Sequence, residues 1–347
     1  MKPPVLQAHW YNRASFDPQG HTDQIEAFHL RAVDPHTGKS LWVQLSLSGD
    51  KNKRSGSVRA IFADPTVGKN WKGVNRFDAD RIALDPERPG AGIGESAIED
   101  GASNGIVRGD GFMLTWNLKV ERLADTYLPL PSQRLYRGSL FSTKFVSSTP
   151  LASVTGTVEV WTSFHHQSQH TRDSSENLTR VEGWTGVVGH TWGSAYPERF
   201  AWAHCSQFDQ APEAFFELYS AEVKLGGIIG PIPTTFGRLV VGDEVFRFDT
   251  FRTQRTAKSS YGPQRWVFSL DGADGSLEGR IEASDDVSYG MIVDAPNGTA
   301  SNNAISPMAD VTLALRPRVG VVRKFTSTRG VLEVGQTGDR GGVDVVL

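Results

Sequence analysis

The chain of 347 residues is short of what several common protein classes require. One cysteine leaves no internal disulfide possible, so the fold needs no oxidising compartment. No apolar run approaches the roughly 20 residues of a membrane-crossing helix, so no integral membrane segment is expected. Charge of one sign is missing too. The 36 Lys and Arg stand against 39 Asp and Glu, with no basic block, and such a surface has no field to steer nucleic acid. The first ten residues lack the apolar core of a secretion leader, so a cytoplasmic location is expected. Long, capped helical periods are absent, and 36 glycines with 18 prolines exceed what long helices tolerate.

Cofactor and metal motifs fail on inspection. Gly38-Lys39-Ser40 ends like a phosphate-binding loop, but Val33 stands where its first glycine belongs. Gly90-Ala91-Gly92-Ile93-Gly94 is followed by Glu95 where a dinucleotide fingerprint needs glycine. No Gly-x-Ser-x-Gly elbow occurs. His165, His166 and His170 lie in a polar stretch that reads as a solvated loop, so no metal is expected. Cys205 reads as core packing.

What is present is alternation. From Phe112 to Val120, Phe112, Leu114, Trp116, Leu118 and Val120 share one face, and Met113, Thr115, Asn117 and Lys119 the other. That period of two marks a half-buried strand. The same pattern recurs along the chain between turn signals such as Asp34–Gly38, Ser48–Asp50 and Asp271–Gly275. An all-β fold of antiparallel sandwiches or barrels follows. The length suits two domains, expected at 1–178 and 179–347 with the polar 165–178 stretch as their junction. Residues 64–111, rich in Gly, Pro and Asp, read as loops mixed with short strands. A faint repeat sets Trp10, Phe16-Asp17 and Glu26-Ala27-Phe28 beside Trp202, Phe208-Asp209 and Glu217-Leu218-Tyr219.

The richest stretch places Trp184, His190, Trp192, Tyr196, Trp202 and His204 close together. If the strands around residues 200–207 and 215–225 pair, Trp202, His204, Glu217 and Tyr219 line one wall. Such a wall suits a largely apolar ligand meeting a few polar groups, and imidazole beside carboxylate serves proton transfer. For the tryptophans the competing reading is plain packing. For His190 with Glu217 function is favoured, since Glu is rarely buried without a reason.

The block Gly189-His190-Thr191-Trp192-Gly193, with Tyr196-Pro197 and Phe200-Ala201-Trp202-Ala203-His204, resembles the second-half signature of the lipocalin-like tocopherol cyclase and carotenoid hydratase (hydroxyneurosporene synthase) superfamily. His9-Trp10-Tyr11-Asn12 followed by Gln24–Phe28 is similar to its first-half signature. The resemblance implies two lipocalin-like β-barrels side by side around a hydrophobic pocket. It implies a cofactor-independent lyase, cyclase or isomerase acting on an unsaturated isoprenoid or polyketide-like molecule. On this reading Glu217, or Glu26 from the other half, is the general acid, and His190 orients it or takes the proton back. Trp184, Trp192, Trp202, His204, Phe215, Tyr219, Trp10 and Tyr11 would line the substrate. Where the superfamily pairs an aromatic with an acid two residues apart, Phe215 and Glu217 match best, and Glu217 with Tyr219 is the alternative. The alternatives are a non-catalytic lipid or isoprenoid carrier, and a structural pair of barrels whose aromatics form a dry seam.

Overall fold

The computed structural model describes residues 11–130, 132–137, 140–162, 178–225 and 229–337. His9, Trp10, His165, His166 and His170 lie outside the described residues. The chain is all-β, in two consecutive antiparallel sheets that each curl into a lipocalin-like barrel. No helix among the described residues is long and apolar enough to cross a membrane.

The first sheet holds β1 (Gln24–Val33), β2 (Ser40–Gly49), β3 (Arg54–Asp64), β4 (Lys69–Asp78), β5 (Ile82–Ala83), β6 (Gly90–Ile93), β7 (Ser96–Glu99), β8 (Ala102–Gly109), β9 (Phe112–Arg122), β10 (Thr143–Thr162) and β11 (Leu178–Gly193). Its order is β4-β3-β2-β1-β11-β10-β9-β8-β7-β6-β5. The second holds β12 (Arg199–Cys205), β13 (Phe215–Leu225), β14 (Ile229–Val241), β15 (Glu244–Phe248), β16 (Lys258–Gly262), β17 (Arg265–Asp271), β18 (Gly275–Glu282), β19 (Tyr289–Asp294), β20 (Ala300–Pro317) and β21 (Arg323–Thr337). Its order is β15-β14-β13-β12-β21-β20-β18-β17-β16, with β19 on β20. Two short helices, α1 (Gln133–Arg137) and α2 (Phe251–Thr256), stand outside the sheets.

The junction differs from the expected one at 178/179. β11 pairs with both β1 and β10, so residues 178–193 belong to the first sheet. The chain crosses to the second sheet between Gly193 and Arg199. Residues 163–177 lie outside the described residues; β10 and β11, which flank them in sequence, are neighbours in one sheet.

Two kinds of strand result. β9 alternates, its Phe112, Leu114, Trp116, Leu118 and Val120 in the first core and its Asn117 and Lys119 exposed. β1 and β2 are buried almost throughout. Phe28, Leu30, Leu41, Val43 and Leu45 fill the first barrel, while the opposite face of the same strands is covered by the second sheet. That seam packs Trp42, Ile61, Phe145 and Val187 against Phe200, Trp202, Tyr219, Phe236 and Ile305.

The two strand orders superpose element by element: β4-β3-β2-β1-β11-β10 runs as β15-β14-β13-β12-β21-β20. β1 therefore corresponds to β12. The repeat read from sequence set Glu26 of β1 against Glu217 of β13, one strand out of step, so those two carboxylates are not counterparts. The long strands β10 and β20 both break register at a proline, Pro150 and Pro307. Each break is held from across the seam. His204 Nε2 on β12 donates to the Pro150 carbonyl at 2.8 Å, and Arg31 Nη2 on β1 donates to the Pro307 carbonyl at 3.0 Å. Two residues before each of these, His29 and Trp202 meet edge to face at 4.7 Å. The two barrels thus clasp one another through equivalent positions carrying different side chains.

Candidate functional site

The residues singled out from sequence fall into two groups on opposite faces of the strands. The first lies within the first barrel. His190 stacks on Phe28 at 4.1 Å and on Trp192 at 4.6 Å. Its Nδ1 meets the Tyr11 carbonyl at 2.8 Å, and its Nε2 meets Glu26 Oε1 at 2.7 Å. Both ring nitrogens thus face oxygen atoms, one of the Tyr11 backbone and one of the Glu26 side chain. Glu26 also accepts from Ser15 N at 2.8 Å, Phe16 N at 2.7 Å and Ser15 Oγ at 3.3 Å. With every oxygen occupied, this carboxylate pins residues 11–16 against the barrel. Tyr11 adds a ring contact to Tyr136 at 4.9 Å, and Trp184 is buried in the first core.

The second group faces the seam. The β12–β13 register sets Trp202 opposite Tyr219 and His204 opposite Glu217. Glu217 is buried, accepts from Trp202 Nε1 at 3.4 Å, and leaves Oε2 without a partner. Burial, opposed by Arg238 and by the Trp202 hydrogen bond, pushes its carboxyl up to about 7. Phe215 lies at the end of this face, with the Arg238 guanidinium 5.1 Å from its ring centre. His190 and Glu217 therefore share no chamber. β11 turns His190 toward the first core, while β13 turns Glu217 toward the seam.

The structure adds residues that the sequence reading passed over. A chamber of about 40 Å3 at the seam is lined by His29, Gln44, Tyr196, Trp202, Asn303 and Glu333, among others. Glu333 of β21 lies directly opposite Trp202 and accepts from Asn303 Nδ2 at 2.9 Å. Burial, opposed by that hydrogen bond and by the nearby Arg59 cation, raises its carboxyl to about 7. His29 is pulled down to about 3 by burial and by the charge of His190, so its imidazole is neutral at ordinary pH. The Nε2 of His29 and the hydroxyl of Tyr196 are buried without partners. Gly189 makes room for the ring, since a Cβ there would stand 2.2 Å from His29 Cε1. A proton donor, an imidazole with a free nitrogen and an indole face thus border one small chamber.

Both added residues carried a signal. Glu333 interrupts the apolar run Val331-Leu332-Glu333-Val334, the same oddity that marked Glu217. His29 alternates with Arg31 on a face of β1 that reads as solvent-facing until a second sheet covers it.

No protein-family profile matches the chain, and no curated protein matches it in sequence. Solved structures match it in fold. Kievitone hydratase from Nectria haematococca superposes with a TM-score of 0.52 at 11% identity, over 89% of this chain and 88% of that one. CghA superposes with a TM-score of 0.53 at 10% identity, over 95% of this chain and 89% of that one. The chain shares the lipocalin-like two-barrel fold of these structures.

Proposed function

We propose that the protein is a cofactor-independent lyase or cyclase that protonates an unsaturated, largely apolar small molecule at the seam between its barrels. The observation that carries the reading is a buried carboxyl near 7 and a neutral imidazole lining the same aromatic chamber. In this reading Glu333 gives its proton to an alkene or enol. His29, through its free Nε2, takes a proton from the resulting cation or from an incoming water. The Trp202 face stabilises positive charge while it develops, an effect worth about 1–2 kcal/mol in a dry site. Glu217 acts through Trp202, holding the indole by its Nε1. His190 and Glu26 keep the first barrel closed and set the field felt by His29.

The likeness of fold to kievitone hydratase supports addition of water as one outcome, since a cation trapped by water gives a hydrated product and a cation trapped internally gives a ring. The test is incubation of the purified protein with a panel of isoprenoid and polyketide-type alkenes in deuterated water. Hydration adds the mass of one water, whereas cyclisation or isomerisation leaves the mass unchanged apart from exchanged deuterium. Turnover that falls roughly a hundredfold in Glu333→Gln supports the assignment. Product formation undiminished in both Glu333→Gln and His29→Asn would remove it. A carrier would instead release bound apolar ligand on extraction and turn over nothing.

A further inference from the structure

A second chamber, of about 200 Å3, adjoins the first. Leu130, Leu135, Phe141, Val223, Ile232 and Phe236 give it apolar walls. Phe145 and Tyr219, stacked with ring centres 5.3 Å apart, line both chambers and form the partition between them. One charged residue lines the apolar chamber, Lys144 of β10. It is half-buried, and burial alone draws its ammonium below the ordinary lysine range. Among the described residues no carboxylate pairs with it, so its charge is left for a ligand to meet. A cation drawn into apolar surroundings gains most from an anion brought in by a ligand, because both then lose water once and recover a charge-assisted hydrogen bond.

We propose that this chamber takes the hydrocarbon part of an amphiphilic anion, an apolar molecule ending in one carboxylate, enolate or phenolate oxygen group, with Lys144 as its counter-ion. The inference rests on the seam being a site for an apolar substrate, and it narrows that substrate to one with a single anionic end. Three features agree on it. The walls supply no carboxylate that would repel an anion. The single cation leaves a second charge on the ligand unmatched. Phe145 and Tyr219, which line both chambers, set the rest of a ligand beside the chamber of Glu333 and His29.

Titration calorimetry with octanoate, octan-1-ol and octylammonium on the full chain tests it without any turnover. Octanoate is expected to bind about tenfold tighter than octanol, and octylammonium weaker than both. Lys144→Met keeps the length of the side chain but not its charge, so it should erase the preference for octanoate and leave octanol within about twofold. Val223→Trp, which fills the chamber, should abolish binding of both. Glu333→Gln should leave the preference intact, which separates this proposal from the catalytic one. Equal affinity for octanoate and octanol overturns it, as does a preference that survives Lys144→Met, or no saturable octanoate binding at all.

Discussion

Replacing Glu333 by glutamine should change how stability responds to pH, in a direction and by an amount fixed by its surroundings. The carboxyl titrates near 7 in the folded chain against 4.5 when solvated. Between those values the folded state holds one proton that the unfolded state has released. A raised folded value means that the group's contribution is complete below 4.5 and is lost as pH rises through about 7. A gap of about 2.5 units at about 1.4 kcal/mol each amounts to about 3 kcal/mol. Glutamine has the shape of the neutral acid and no titration, so every other group cancels in the difference between the two proteins. Urea midpoints measured for both from pH 4.5 to pH 7.5 should therefore show the native chain losing about 3 kcal/mol relative to Glu333→Gln as pH rises. A difference that is flat with pH, or one that grows in favour of the native chain at high pH, would mean that the carboxyl is ionised in the fold. The proton donor of the proposed reaction would then be lost with it.

His29→Asn should show the opposite slope. A histidine held down near 3 stabilises above its solvated value of 6.5 and loses that contribution as pH falls, so the native chain should weaken relative to the variant toward acid. Turnover of any substrate found should fall as pH rises through about 7 and stay level below it down to about 3, because Glu333 loses its proton near 7 while His29 gains one only near 3; a rate that climbs through about 7 would refute the assignment. Gly189→Ala would push a methyl group into the His29 ring and should cost roughly a hundredfold in turnover, measured beside a circular dichroism spectrum that stays unchanged. Arg31→Met removes donors to the carbonyls of Pro307, Arg329 and Gly330 and should cost about 3 kcal/mol in urea titrations, since those buried acceptors lose their partner.

The alternation that specifies β9 was legible because one of its faces meets water, and the polar residues there announce the period. The seam strands hid their situation for the converse reason. Gln44, Ser46, Ser48 and Arg59 alternate with apolar neighbours in the manner of a solvent face, yet all four are buried beneath the second sheet. Nothing local distinguishes a polar face that meets water from one that meets another polar face. The grouping of Trp202, His204, Glu217 and Tyr219 was legible, because a hairpin register follows from neighbouring strands. The partner of His190 was not. Glu26 lies 164 residues away in sequence and reaches His190 only because β11 closes the sheet against β1.

The same topology explains why the repeat misled. The two barrels share strand order and the proline breaks of β10 and β20, which set the geometry by which each barrel holds the other. They need not conserve the side chains at corresponding points. His29 and Trp202 occupy equivalent positions and touch, and Arg31 and His204 perform one task with different donors. An asymmetric seam is what proton transfer requires. Were both barrels to present the same group there, two carboxyls or two imidazoles would face each other, and like groups in a dry site titrate against one another rather than exchange a proton through a substrate. With strand order alike and side chains different, the proposed reaction sets a carboxyl on β21 against an imidazole on β1. A variant that restores likeness tests the idea: His29→Glu should place a second carboxyl in the chamber of Glu333, raise the apparent titration of the pair above 7 by NMR, and abolish turnover while urea midpoints at acid pH stay within about 1 kcal/mol of the native chain.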